Sequence, residues 1–137
     1  MWSVWLVPLW IALGVFMWCS NAGVGIPTSA RNVKLSDWEW IINVDLWGPI
    51  YAVKTFLPLI EAQGEGHINA TSSMAGLISS QMMGAYNVAK HGVVALMAAT
   101  ERELRSEAEQ CKGIRIVSWA YQHEHQSPFG RLSSGPG

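Results

Sequence analysis

The stretch GAYNVAK, residues 84–90, places a phenol and an ammonium four positions apart, at Tyr86 and Lys90. If a helix begins here, the two side chains share one face and lie about 6 Å apart. A free tyrosine accepts protons poorly at neutral pH, but a neighbouring ammonium favours the phenolate. The pair therefore suits a proton-transfer device. The same spacing is also typical of an ordinary amphipathic helix surface.

Further polar groups follow two apolar runs. Ser73 ends the run HINATSS, residues 67–73, which predicts a strand that continues into a loop. Ligands of parallel sheets collect where strands end, and a hydroxyl there can hydrogen-bond the oxygen of an alcohol or a carbonyl. A second run is closed by Asn21, Ala22 and Gly23. Each of these positions also fits an ordinary turn or a turn cap.

Two long helices are predicted to position these groups. Ser36 followed by Glu39 is a capping box, so the first helix should run over 36–60. A glycine–proline pair at 48–49 should kink this helix. The second helix is predicted over 85–109, where apolar residues recur at helical spacing.

Three short apolar runs alternate with these helices. GVFMWCSNAG, residues 14–23, is typical of a buried parallel strand. HINATSS and GIRIVS, residues 113–118, predict two more strands. The order strand, helix, strand, helix, strand predicts an α/β fold whose parallel strands are joined by crossover helices.

Composition excludes several classes of protein. With 50% hydrophobic and 14% charged residues in 137, the chain is a folded domain and not a disordered segment. A net charge of −1 without a basic run argues against nucleic acid as a partner. Cys19 and Cys111 are too few for a disulfide scaffold and lack metal-ligand spacing, which favours a reduced, cytoplasmic setting. His123 and His125 lie on a polar tail, and no metal is predicted.

The first residues leave one alternative open. Residues 1–19 are apolar and uncharged, and about 20 such residues can span a membrane. The segment lacks the positive flank of a signal peptide, and Pro8 and Gly14 interrupt it. A buried strand is therefore the favoured interpretation of its second half, with membrane association through 1–19 as the alternative.

Four segments in order, SNAGVG, INVDLWGPIYAV, GHINATSSMAGL and GAYNVAKHGVVAL, resemble the short-chain dehydrogenase/reductase family. The resemblance covers about 14–118. It implies a partial Rossmann-like, doubly wound parallel sheet, and it makes 1–137 a single incomplete domain with atypical ends at 1–13 and 119–137. It also implies NAD or NADP as cofactor, and hydride transfer to or from a small-molecule carbonyl or alcohol.

The resemblance assigns roles to residues of this chain. Tyr86 is the expected general acid/base, and Lys90 is expected to favour its phenolate and to bind the nicotinamide ribose. Ser73 is expected to orient the reacting oxygen. The floor of the cofactor site is expected to be formed by Asn21, Ala22 and Gly23, next to Tyr86 and Lys90.

Departures from the family pattern qualify these roles. Asp45 stands where the family has an asparagine, and its carboxylate is expected to pair with Lys90 and to alter turnover. Asn69 places an amide in a central strand, where it needs a buried partner. The family's glycine-rich phosphate loop is not found in this sequence, which by the resemblance is expected to begin at the family's fourth strand. The tail 119–137 also departs from the family, and a shift of reading frame would explain it.

Two questions stay open from the sequence. In the alternative, the chain is a catalytically inactive, truncated fragment of the family that acts through dimerisation by helices 36–60 and 85–109. The same two helices also predict a homo-oligomer. Met82, Met83 and Trp47 fit either a pocket lining or the core.

Overall fold

Short runs rich in apolar residues form the sheet. The computed structural model describes residues 17–106 and 113–118. Within them, β1 (Met17–Ser20), β2 (Glu65–Ala70) and β3 (Gly113–Ser118) form one sheet in the order β1-β2-β3. Both pairings are parallel. The predicted α/β architecture, a partial Rossmann-like parallel sheet, is confirmed.

The chain from β1 to β2 is helical in three parts. These are α1 (Leu35–Ile42), a five-residue π-helical segment (Asn43–Trp47) and α2 (Gly48–Gln63). The predicted capping box at Ser36 is wrong, because the carbonyl of Lys34 already accepts the amide of Trp38. Ser36 therefore lies inside the first turn, and α1 begins one residue earlier than predicted.

The π-helical segment lies just before Gly48-Pro49, where a kink is predicted. Pro49 lies in the first turn of α2, directly after the π-helical segment, and it has no amide hydrogen to donate to a carbonyl of that segment. The helix continues past residue 60 and ends at Gly64, whose φ of +83° is a left-handed conformation that glycine adopts without strain.

A short 3₁₀ turn (Met74–Gly76) follows β2, and α3 (Gly84–Ser106) leads towards β3. The predicted residues 107–109 of this helix lie outside the described residues. The main core joins α2, β2 and α3 through five buried side chains, Ile60, Ile68, Ala70, Val93 and Met97. Both long helices therefore pack on the same face of β2.

The opposite face of the sheet is polar and more exposed. In register across the three strands lie Met17, His67 and Arg115. Met17 is 66% exposed, so the predicted buried strand is wrong for β1: only alternate side chains face the helices. Asn69 is half-buried on this face and donates to Cys19 Sγ at 3.6 Å, while its Oδ1 has no partner among the described residues.

No described helix is both long enough and apolar enough to cross a membrane. Most of the segment 1–19, on which the membrane alternative rests, lies outside the described residues. Among the residues that the structure describes, no cluster of side chains could hold a metal ion.

Candidate active site

The ends of two strands and the start of a helix meet at one edge of the sheet. Because β1 and β2 are parallel, the loops that follow them leave from the same edge. The first turn of α3 lies against these loops. A cleft of about 470 Å³ opens between them, lined by Asn21, Gly23, Val24, Gly25, Thr71, Ser72, Met83, Tyr86 and Lys90.

Tyr86 and Lys90 lie one turn apart on α3 and face this cleft. The Lys90 Nζ atom is 5.4 Å from the centroid of the Tyr86 ring, within the range of a cation–π contact. Lys90 is only 3% exposed. A lysine so deeply buried is not part of an amphipathic surface, so the simpler interpretation of the Tyr-Lys spacing is excluded.

The Lys90 ammonium is held by one hydrogen bond and one ionic contact among the described residues. It donates to the backbone carbonyl of Thr71 at 3.2 Å, and it lies 3.5 Å from Asp45 Oδ2. An ammonium carries three hydrogens. The hydrogen bond to Thr71 uses one of them, and the contact with Asp45 Oδ2 is ionic, so the described residues leave hydrogens of the ammonium available for a ligand in the cleft.

Asp45 is fully buried within the π-helical segment. Its Oδ1 accepts the Val24 amide at 2.7 Å, which ties the loop after β1 to the helices. Its Oδ2 has the ionic contact with Lys90 and no hydrogen bond among the described residues. The expected Asp45–Lys90 pair is therefore present.

Burial raises the pKa of the Asp45 carboxyl, because a charge is poorly solvated there. The Val24 hydrogen bond and the Lys90 charge act in the opposite direction without cancelling this rise. Among the described residues, the Val24 amide and the Lys90 ammonium are thus the two partners that offset the desolvation of this carboxylate.

A helix contact brings the π-helical segment close to α3. Gly92 has no side chain, and a Cβ there would lie 2.8 Å from Leu46 Cδ1. Leu46 therefore packs against the backbone of α3, directly after Asp45 in the chain. Short π-helical segments within α-helices are frequent at functional sites. Here the π-helical segment carries Asp45, whose carboxylate faces Lys90.

The loop after β1 contributes two of its three candidate residues, Asn21 and Gly23, to the lining of the cleft. Asn21 Oδ1 accepts the Thr71 hydroxyl at 2.8 Å. Gly23 lies so close to the lysine that a Cβ would be 3.2 Å from Lys90 Nζ. Ala22 is exposed and does not line the cleft.

The two serines after β2 differ in their contacts. The Ser73 hydroxyl accepts the Ala75 amide at 3.2 Å as the cap of the 3₁₀ turn, and Ser73 is not among the lining residues. Ser72 is buried, lines the cleft and donates to the Lys90 backbone carbonyl at 3.0 Å. The catalytic role of Ser73 stays a prediction.

Sequence reasoning missed Thr71 and Ser72. A signal for them existed in Gly76, four residues after Ser72. A Cβ on Gly76 would lie 2.5 Å from Ser72 Oγ and 2.7 Å from the Lys90 carbonyl oxygen, so the turn needs glycine to reach α3.

Most of the chain is similar in sequence to proteins of one known family. The sequence profile of the short chain dehydrogenase family matches residues 13–120. Cyclohexanol dehydrogenase of an Acinetobacter species is 38% identical over 100 residues, which cover 72% of this chain and 38% of that protein. C alpha-dehydrogenase of a Sphingobium species is 37% identical over 79 residues, which cover 57% of this chain and 26% of that protein.

A solved structure has the same arrangement of elements. The short chain dehydrogenase/reductase from Burkholderia phymatum, in complex with NAD, has a TM-score of 0.71 and 27% identity over 89% of this chain and 46% of that one. The chain thus spans less than half the length of the relatives it matches. The family consists of NAD(P)-dependent oxidoreductases. With a matching profile, a parallel sheet, and a buried Lys90 beside a half-buried Tyr86 at its edge, the chain belongs to the short-chain dehydrogenase family.

Proposed function

We propose that this chain is the proton-transfer part of an NAD(P)-dependent oxidoreductase that interconverts a carbonyl and an alcohol. One observation carries the proposal. A lysine ammonium that is 3% exposed lies 5.4 Å from the ring centroid of Tyr86, in a cleft at the carboxyl edge of the sheet.

The residues present fit the nicotinamide end of NAD or NADP. A hydrogen of the Lys90 ammonium that is not donated to Thr71 suits a ribose hydroxyl. The lack of a side chain at Gly23 keeps the approach to Lys90 open, because a Cβ there would crowd the ammonium. Asn21 and Tyr86 complete the lining on this side. When bound, the nicotinamide supplies the hydride that the carbonyl carbon gains, and NAD(P)H ends as NAD(P)⁺.

The chain's own residues move and hold the proton. In the reductive direction the Tyr86 hydroxyl gives its proton to the carbonyl oxygen, and in the oxidative direction the phenolate takes the alcohol proton. Lys90 stabilises the phenolate. Asp45 and Thr71 hold the ammonium in place. Ser73, whose oxygen accepts from Ala75, keeps its own O–H hydrogen for the substrate oxygen.

The test uses the full chain. NADH and NADPH binding is measured by fluorescence titration, and turnover is measured from cofactor absorbance with cyclohexanone as substrate. Tyr86→Phe should lower kcat by about 10² or more while cofactor affinity stays within about threefold. Equal turnover by wild type and Tyr86→Phe, or no cofactor binding by either, contradicts the proposal.

A second candidate function is association through the helices, which is the alternative to catalysis. Trp47 and Tyr51 are 44% and 63% exposed, and their ring centroids are 5.5 Å apart. Val88 on α3 is 52% exposed. Exposed apolar groups on the predicted pairing helices support a homo-oligomer. Sedimentation of wild type and Tyr51→Lys tests it: a wild-type monomer, or no change in the variant, argues against it.

A cytoplasmic location is part of the same proposal. Fractionation of cells that express the chain tests it against the membrane alternative. Recovery in the carbonate-resistant membrane pellet would favour an anchor within residues 1–19.

A further inference from the structure

The walls of the cleft carry almost no charge. Of the lining residues, only Lys90 is charged, and its ammonium already lies 3.5 Å from Asp45. The loop 21–30 and the connection 71–83 contain no Asp, Glu, Lys, Arg or His. A substrate carboxylate or phosphate would therefore find no free cation among the described residues here, and its desolvation would go uncompensated.

The connection between β2 and α3 instead carries large apolar side chains. Both of its ends line the cleft, through Thr71 and Met83. Between them, Met74, Ile78 and Met82 are 55%, 64% and 53% exposed. Such a concentration of exposed apolar surface beside a cleft is typical of a binding site. Methionine side chains also adapt to irregular apolar ligands.

The connection is held in this position by specific contacts. Met83 forms an isolated β-bridge with Thr28, and the side-chain amide of Asn87 donates to the Ser80 carbonyl at 2.7 Å. Met82, between these two contacts, has a φ of +60°, which is unfavourable for a residue with a long side chain. Strain of this kind persists where the surroundings impose it, and it is concentrated at ligand sites.

We propose that the substrate is an uncharged ketone, or the matching secondary alcohol, with a bulky apolar substituent that contacts Met82 and Met83. The carbonyl oxygen lies towards Tyr86, and the substituent covers the exposed apolar side chains of the connection. This inference rests on the proposed function, because it gives the substrate class of the same site.

The test compares two aryl ketones that differ in one group. Acetophenone carries a methyl group where phenylglyoxylate carries a carboxylate. For the full chain, kcat/KM should be at least about tenfold higher with acetophenone. Met82→Gln and Met83→Gln preserve side-chain length but add an amide, and each should raise the KM for acetophenone about tenfold with a smaller change in kcat. Met17→Gln, the same change at an exposed site in β1, should have no effect.

Saturation-transfer NMR with acetophenone separates this inference from the proposed function. Acetophenone that binds wild type and not Met83→Gln supports the apolar site even if no turnover occurs, in which case the proposed function alone fails. Turnover with equal efficiency on phenylglyoxylate overturns the inference and leaves the proposed function standing. Unchanged KM and binding in both methionine variants also overturn it, as does the absence of any binding and turnover.

Discussion

Removal of the Asp45 carboxylate should lower the free energy of unfolding, by an amount that depends on the residue that replaces Asp45. The carboxylate lies 3.5 Å from the Lys90 ammonium, and both groups are buried. At an effective dielectric constant of ~20, the attraction of two unit charges at this distance is about 5 kcal/mol before desolvation is subtracted. Asp45→Ala leaves the ammonium without this charge and the Val24 amide without its acceptor. We expect a loss of about 3–5 kcal/mol in the free energy of unfolding.

Asp45→Asn is the matched control. The amide oxygen can still accept from Val24, and the side chain has the same size, so only the charge is lost. The expected loss is below about 2 kcal/mol, since burial of the carboxylate is itself unfavourable. In a double-mutant cycle with Lys90→Met, the loss caused by Asp45→Ala should shrink by at least about 1 kcal/mol.

The assay is urea unfolding of the full chain, followed by tryptophan fluorescence at neutral pH. Equal losses for Asp45→Ala and Asp45→Asn, unchanged in the Lys90→Met background, would show that the ion contact contributes nothing. The kinetic consequence is separate. Asp45→Asn leaves the Lys90 charge to act on Tyr86 alone, so the pH–rate profile should move to lower pH, and an unchanged profile contradicts this role.

Other predictions concern stability and the close contacts of the site. Because burial raises the pKa of Asp45, the folded chain binds the Asp45 proton more tightly than the unfolded chain does. This contribution to stability is therefore full at low pH and is lost as pH rises through the raised pKa. Urea midpoints measured across pH should show this decline for the wild type, and Asp45→Asn should remove it. Gly76→Ala should cost about 1–3 kcal/mol or more, because the new methyl group would lie 2.7 Å from the Lys90 carbonyl oxygen, and thermal unfolding measures the loss. Gly64→Ala places a side chain at a φ of +83° with open space around it, so a loss of about 1 kcal/mol from backbone strain alone is expected in the same assay. A larger loss at Gly64 than at Gly76 would contradict this account of both glycines.

Part of this fold can be predicted from local sequence patterns. The run 113–118 forms the predicted strand without adjustment, because alternating isoleucines suit a half-buried strand. The Tyr86–Lys90 spacing is sufficient to bring the two groups together once α3 begins at Gly84. The Asp45–Lys90 pair was also predictable, since a carboxylate at that family position faces the lysine.

The remainder depends on contacts that no local pattern contains. The π-helical segment adds a residue to the helix, but the spacing of apolar residues along the sequence does not indicate where. The apolar run around β1 does not reveal which face the helices cover, so the exposure of Met17 was not foreseen. Ser72 and Ser73 are chemically identical, and only the path of the chain after β2 decides which hydroxyl meets α3.

Two consecutive residues after β2, Thr71 and Ser72, hydrogen-bond to the side chain and to the backbone of Lys90. Thr71 accepts from its ammonium, while Ser72 donates to its backbone carbonyl. The residues that directly follow β2 therefore contact both the side chain and the backbone of Lys90. The part of the connection beyond Gly76 has no such double attachment to Lys90. The end of β2 therefore positions the Lys90 ammonium, while the methionine-bearing segment is held by separate contacts, through Met83 with Thr28 and through Ser80 with Asn87.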